Sequence, residues 1–125
     1  MFDVLIIGGG VSGVSCALLL GSAQNKLFVQ DKKIGIVAHQ KASSLQEALF
    51  NNAYGISAGK LGSEILVESI NHLQKTYPHI TIIEGEKVMR IEGSAGNFTI
   101  KTNKNTYQTK IVVIGIGAGN PFTIE

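Results

Sequence analysis

The sequence has little of several things that would each announce a function. One cysteine, Cys16, rules out an internal disulfide and fits a reducing compartment. A single arginine, Arg90, and a net charge of +2 spread over scattered lysines leave no basic cluster, so nucleic acid is not an expected partner. No apolar run approaches the ~20 residues needed to cross a bilayer. Met1 leads directly into an apolar segment with no basic stretch before it, so no membrane partner is expected and a cytoplasmic location is. Also missing is any grouping of acid, base and nucleophile, so no catalytic residue and no metal ligand is singled out. Charged residues make up only 16% of the chain against 44% apolar, which excludes disorder. At 125 residues the chain suits one domain, burying roughly two-thirds of its unfolded surface.

What is present begins at the first residues. Val4 to Ile7 is a short aliphatic run of the kind buried on both faces of a parallel sheet. Gly8, Gly10 and Gly13 then fit G-x-G-x-x-G. The first glycine allows a tight turn, the second lets a pyrophosphate approach the backbone, and the third lets a helix lie close on the strand. The helix opening with Val11 and Ser12 would offer free N–H groups and a partial positive charge to phosphate. A second apolar run, Lys26 to Gln30, ends in Asp31, eighteen residues after Gly13, and reads as a second strand whose closing acid would accept hydrogen bonds from a dinucleotide ribose. A kinase-type glycine loop is a poorer match, since Ser15 stands where that motif expects valine and the D-F-G triplet is absent.

From Val11 to about Ala23 the pattern is apolar nearly all round, which predicts a buried helix; Cys16 within it reads as a packed, unreactive thiol. Lys32 to Ala42 has no clean period and reads as a loop on the nucleotide side, with Lys32 and Lys33 able to approach phosphate and His39 at its surface. Ser43 to Phe50 predicts a short helix capped by Ser43 or Ser44. A further helix begins near Lys60, carries the stripe Leu66, Ile70, Leu73 and Tyr77, and is stopped by Pro78. The period then changes: Ile80 to Ile83 reads as a buried strand, and 86–92, 97–102 and 106–110 alternate as a three-stranded antiparallel meander. Ile111 to Ile114 is a last apolar strand ending in Gly115-Ile116-Gly117-Ala118-Gly119-Asn120-Pro121. The expected class is therefore α/β: a Rossmann-like doubly wound parallel sheet with a three-stranded β-meander crossover.

These motifs together, with Asn52-Ala53-Tyr54-Gly55 followed by Gly59-Lys60-Leu61-Gly62-Ser63-Glu64-Ile65-Leu66, resemble the FAD domain of flavoproteins with two dinucleotide-binding domains, most of all thioredoxin reductase and its relatives. The resemblance implies FAD as cofactor, with Gly8, Gly10 and Gly13 on its pyrophosphate, Asp31 on the adenosine ribose and Val88 touching adenine through its backbone. The turn holding Gly115 and Gly117 would pass near the pyrophosphate. It implies NAD(P)H as electron donor to the full-length protein, an unspecified electron acceptor and a possible homodimer. Two departures stand out: Gly115-Ile116-Gly117 lacks the family's threonine, and Asp31 replaces a commoner glutamate. The family's NAD(P)H domain and Cys-x-x-Cys pair have no counterpart in 1–125, so the chain is expected to be the first part of a longer flavoprotein and to hold FAD weakly. Two rival readings stay open, an NAD(P)-binding subunit of a dehydrogenase and a non-enzymatic nucleotide-binding or interaction module.

Overall fold

The computed structural model describes residues 1–40, 43–117 and 123–124. In chain order these form β1 (Phe2–Ile7), α1 (Val11–Ser22), β2 (Ile34–Ala38), a 3-10 turn (Ser44–Glu47), β3 (Leu49–Phe50), β4 (Lys60–Leu61), α2 (Gly62–Thr76), β5 (Thr81–Glu84), β6 (Val88–Ser94), β7 (Asn97–Thr102), β8 (Thr106–Ile114) and β9 (Thr123–Ile124). Seven strands make one sheet in the order β5-β2-β1-β8-β7-β6-β9, and β3 and β4 pair separately as a small antiparallel hairpin. The four strands β5, β2, β1 and β8 run parallel. The remainder of the sheet is the antiparallel meander β6-β7-β8, with β9 added parallel to β6.

Alternation along the strands decides how the two faces are covered. Ile6 of β1 and Ile34, Ile36 and Ala38 of β2 point to one face, where they pack with Val14 and Ala17 of α1 and Ile70 and Leu73 of α2. Leu5 and Ile7 of β1 and Val37 of β2 point to the other, where Val88, Ile91 and Ile100 of the meander fold over them. The core is thus a sheet between a helical layer and its own antiparallel extension. Leu66, Ile70 and Leu73 form the expected stripe of α2, each contributing about 1.5–3 kcal/mol by its burial.

The second strand differs from expectation. Residues 26–31 are not a strand but a run of turns, closed by Val29 N–H to Lys26 O at 2.9 Å and Gln30 N–H to the same oxygen at 2.7 Å. The cause is burial. Leu27 and Phe28 are 86% and 73% exposed, and Val29 alone of that run enters the core. The true second strand is Ile34–Ala38, where a loop was expected; all five residues are buried, so no polar alternation marks it. Gly35 fits because a Cβ there would stand 2.6 Å from the Phe2 ring.

Two smaller differences follow. The segment expected as a short helix from Ser43 to Phe50 is a single 3-10 turn capped by Ser43, whose Oγ accepts the Leu45 N–H, and it runs straight into β3. The third meander strand and the late apolar strand are one continuous nine-residue strand, β8. Its first part pairs antiparallel with β7 and its last part parallel with β1, and Thr109 pairs with both Phe98 and Phe2. Residues 118–122, which complete the late glycine-rich stretch, lie outside the described residues, as do 41 and 42 of the expected loop.

Candidate functional site

The parallel strands deliver their C-terminal ends to one place. Ile7 pairs with Val37 on one side and Ile114 on the other, so Gly8, Ala38 and Gly115 leave the sheet side by side. Gly8 N–H donates to Val37 O at 3.0 Å and Gly115 N–H to Ile7 O at 2.8 Å. Gly8 has φ +123°, and a Cβ on it would meet Gly115 O at 2.1 Å. A Cβ on Gly13 would stand 1.8 Å from Gly8 O, and one on Gly115 2.9 Å from Gly13 N. Three backbones cross here at distances that no side chain permits, and the crossing holds the start of α1 against the ends of β1 and β8.

Gly10 caps α1 from its own extended backbone, with no side-chain cap and no acidic residue in the first turn. The first N–H groups of a helix have no intrahelical partner. No carboxylate of the helix's own first turn therefore competes for the partial positive charge. Val11 and Ser12 face solvent, Val11 being 63% exposed. A Cβ on Gly10 would meet the Ser43 side chain, its hydroxyl at 3.2 Å. Beyond β8, Gly117 takes φ +63°, with no atom of the described residues other than its chain neighbours within 4 Å of where a Cβ would be.

The tip of β2 lies against this turn. A Cβ on Gly9 would come 2.9 Å from Ala38 Cα and 2.8 Å from Gln40 Cγ. The Gln40 side-chain amide donates to Gly9 O at 2.8 Å and to Leu66 O of α2 at 3.0 Å, tying glycine turn, strand tip and helix together. Gln46 donates in turn to Gln40 O at 3.2 Å. Composition did not single out Gln40. It is the second residue past the apolar run Ile34–Ala38, and reading that run as a strand would have placed it.

Asp31 and Lys32 are not brought to the glycine turn. They precede β2 and lie at the opposite end of the sheet, where Lys33 N–H donates to the Asp3 carboxylate at 2.8 Å and Asp3 N–H to Lys33 O at 2.8 Å. The length of β1, roughly 17 Å at ~3.3 Å per residue, separates the two ends. The expectation that Asp31 closes the second strand beside the glycines is overturned, because the strand begins after it. Asp31 instead occupies a left-handed turn with φ 63°. Lys32 lines a shallow cleft at that far end with Asp3, Val4, Phe28, Lys110 and Ile111.

Val88 opens β6 just after the end of β5, with its side chain buried in the meander-side core. Two residues earlier stands Glu86, buried at 6% exposure. Its carboxylate accepts from Thr102 Oγ1 at 2.6 Å, Tyr107 OH at 2.6 Å and Asn105 Nδ2 at 3.0 Å. Burial pushes the Glu86 pKa up, but these donors outweigh it and hold the carboxyl below its ordinary value. The Tyr107 hydroxyl is pushed up by its own burial and by Glu86. Glu86 thus pins the turn after β5 to the β7–β8 hairpin. Cys16 is half-buried, and burial raises its pKa, which suits an inert thiol. No helix among the described residues is long and apolar enough to cross a membrane, and no group of three or more His, Cys, Asp or Glu among them is placed to hold a metal.

Residues 2–125 match the family model described as pyridine nucleotide-disulphide oxidoreductase. The chain is 30% identical over 111 residues to a ferredoxin:CoB-CoM heterodisulfide reductase polypeptide of Methanosarcina acetivorans, covering 86% of this chain and 13% of that protein. It is 26% identical over 119 residues to a ferredoxin–NADP reductase of Halalkalibacterium halodurans, covering 95% of this chain and 35% of that one. Among solved structures, the thioredoxin reductase of T. acidophilum superposes with a TM-score of 0.69 at 31% identity, covering 93% of this chain and 35% of that one. An oxidoreductase from Agrobacterium tumefaciens superposes with a TM-score of 0.76 at 28% identity over 93% and 36%. The chain therefore spans about a third or less of the length of these relatives. Glycine crossing, parallel sheet and meander agree with the match over nearly the whole sequence, and the chain belongs to the pyridine nucleotide-disulphide oxidoreductase family.

Proposed function

We propose that this chain is the FAD-binding part of an NAD(P)H-dependent oxidoreductase related to thioredoxin reductase. The observation that carries this reading is the crossing of Gly8, Gly13 and Gly115, which sets the start of α1, capped by no side chain, at the C-terminal edge of the parallel strands. Ligands of open α/β sheets bind at that edge. The fit is good for a pyrophosphate. Gly8, Gly10 and Gly13 supply backbone without Cβ atoms, Val11 and Ser12 supply the first N–H groups of the helix, and Gly115 and Gly117 border the same opening. Val88, after β5, is the residue we assign to adenine, through its backbone.

When bound, FAD supplies the electron-accepting chemistry, and the protein's part is to bind and orient it. Gln40 keeps the strand tip and the glycine turn in fixed relation, so the cradle stays open when the nucleotide arrives. The name of one similar protein, ferredoxin–NADP reductase, supports NAD(P)H as the other nucleotide of the whole protein. The test is a titration of the purified chain with FAD, followed by flavin absorbance and fluorescence. A saturable change that is lost in Gly10→Val is expected. A protein that leaves the flavin spectrum unchanged at all concentrations would overturn the reading.

A further inference from the structure

We infer that the adenosine end of this cradle does not exclude a phosphorylated ribose, so that NADP(H) competes with FAD for it. The inference rests on the reading that the glycine turn holds a dinucleotide pyrophosphate. In such folds a carboxylate at the end of the second strand accepts hydrogen bonds from a free 2′-hydroxyl and repels a 2′-phosphate. The tip of β2 lies where that group would stand, since Gly8 N–H donates to Val37 O and Ala38 Cα is 2.9 Å from the Cβ position of Gly9. Its residues are Ala38, His39 and Gln40, none of which carries a negative charge. The Gln40 Nε2 is already engaged by Gly9 O and Leu66 O, and the half-buried His39 is the other side chain at the tip with hydrogen-bonding atoms.

Three of the described carboxylates around the sheet ends are placed as follows. Asp31 is at the far end of the sheet. Glu86 is buried under three donors, Thr102, Tyr107 and Asn105. Glu84 is exposed on the neighbouring strand, level with Ala38, but the Lys104 ammonium stands 3.7 Å from the Cβ position of Gly85, the next residue. An incoming phosphate therefore meets a histidine at the tip, with Glu84 and the Lys104 ammonium one strand away. The group that makes this kind of site choose a bare ribose is gone.

The experiment displaces FAD from the chain with 5′-ADP and with 2′,5′-ADP. The expected result is that 2′,5′-ADP binds as tightly as 5′-ADP or within about threefold of it, since no carboxylate stands among Ala38, His39 and Gln40 to oppose the added phosphate. Binding more than about threefold weaker overturns the inference while leaving FAD binding intact. His39→Asp is expected to weaken 2′,5′-ADP about tenfold relative to 5′-ADP by restoring the missing charge. An unchanged ratio in a variant that still binds 5′-ADP shows that the strand tip does not face the ribose, and also overturns the inference. If FAD and 5′-ADP both fail to bind the parent chain, the dinucleotide reading itself falls and takes this inference with it.

Discussion

Gly13 lies directly against the carbonyl of Gly8, so close that a Cβ on Gly13 would stand 1.8 Å from its oxygen. The contact is backbone on backbone, so no rotamer change can relieve an added methyl. Gly13→Ala is therefore expected to cost about 3 kcal/mol, at the upper end for overpacking. Urea denaturation would measure it. A loss below ~1 kcal/mol would mean that α1 can slide away from β1. Any folded variant should also lose FAD.

Gln40 makes two side-chain hydrogen bonds, to Gly9 O and to Leu66 O, the second of which also accepts from the Ser69 hydroxyl. Gln40→Ala leaves Gly9 O and Leu66 O without them and is expected to lower stability by about 1–2 kcal/mol. Its FAD affinity should fall as well, because the turn that receives the pyrophosphate is no longer tied to the strand beside it. Full affinity in a destabilised variant would show that the tie serves folding alone.

Glu86 and Asp3 both have carboxyl pKa values held below the ordinary range. For Asp3 the main cause is the Lys33 N–H, with Lys110 adding to it. The unfolded chain, with ordinary values, takes up protons first as pH falls. Their stabilising contribution is therefore complete above about pH 5 and is lost as pH drops through the depressed folded values. Thermal melts between about pH 6 and 3 should show this decline. Glu86→Gln should flatten part of it and lower stability at neutral pH by about 1–3 kcal/mol, since one amide cannot satisfy three donors.

Asp31 sits at the wrong end of the sheet to meet a nucleotide. Asp31→Ala should leave FAD affinity unchanged within about twofold, where loss of a ribose hydrogen bond would cost tenfold or more. Asp31→Gly should instead raise stability by up to about 1 kcal/mol, because φ 63° suits glycine better than an L side chain. Weaker FAD binding in Asp31→Ala would require the 26–31 segment to reach the glycine turn.

How far the sequence could be read depended on whether a segment met one environment or two. The stripe Leu66, Ile70, Leu73 shows a helix with one wet side, and the meander strands alternate because solvent touches one face. The glycine motif was legible because close backbone crossing demands that residue type. β2 was not. Ile34 to Ala38 is buried on both faces, so it carries no period, and Gly35 within it looked like a loop residue until the Phe2 ring was seen to fill its place. Leu27 and Phe28 supplied a decoy, two apolar residues that lie exposed on a turn. Displacing that one strand carried the acid to the wrong end and hid Gln40, while the pyrophosphate side of the proposed site, built from glycines alone, did not depend on it.

Thr109, fully buried, pairs with Phe98 on one side and with Phe2 on the other, so the chain's first strand gains this second neighbour only after more than a hundred further residues have been made. On a ribosome, β1 can dock with β2 and α1 early, but Leu5 and Ile7 face water until β8 and the meander have emerged. The entropy of closing so long a loop must be met before the β1–β8 pairing contributes, which slows folding relative to a fold built of local contacts. The strand that joins the two halves of the sheet is thus also the one that times their assembly, and until it arrives the nascent chain carries an apolar sheet face open to chaperones or to aggregation.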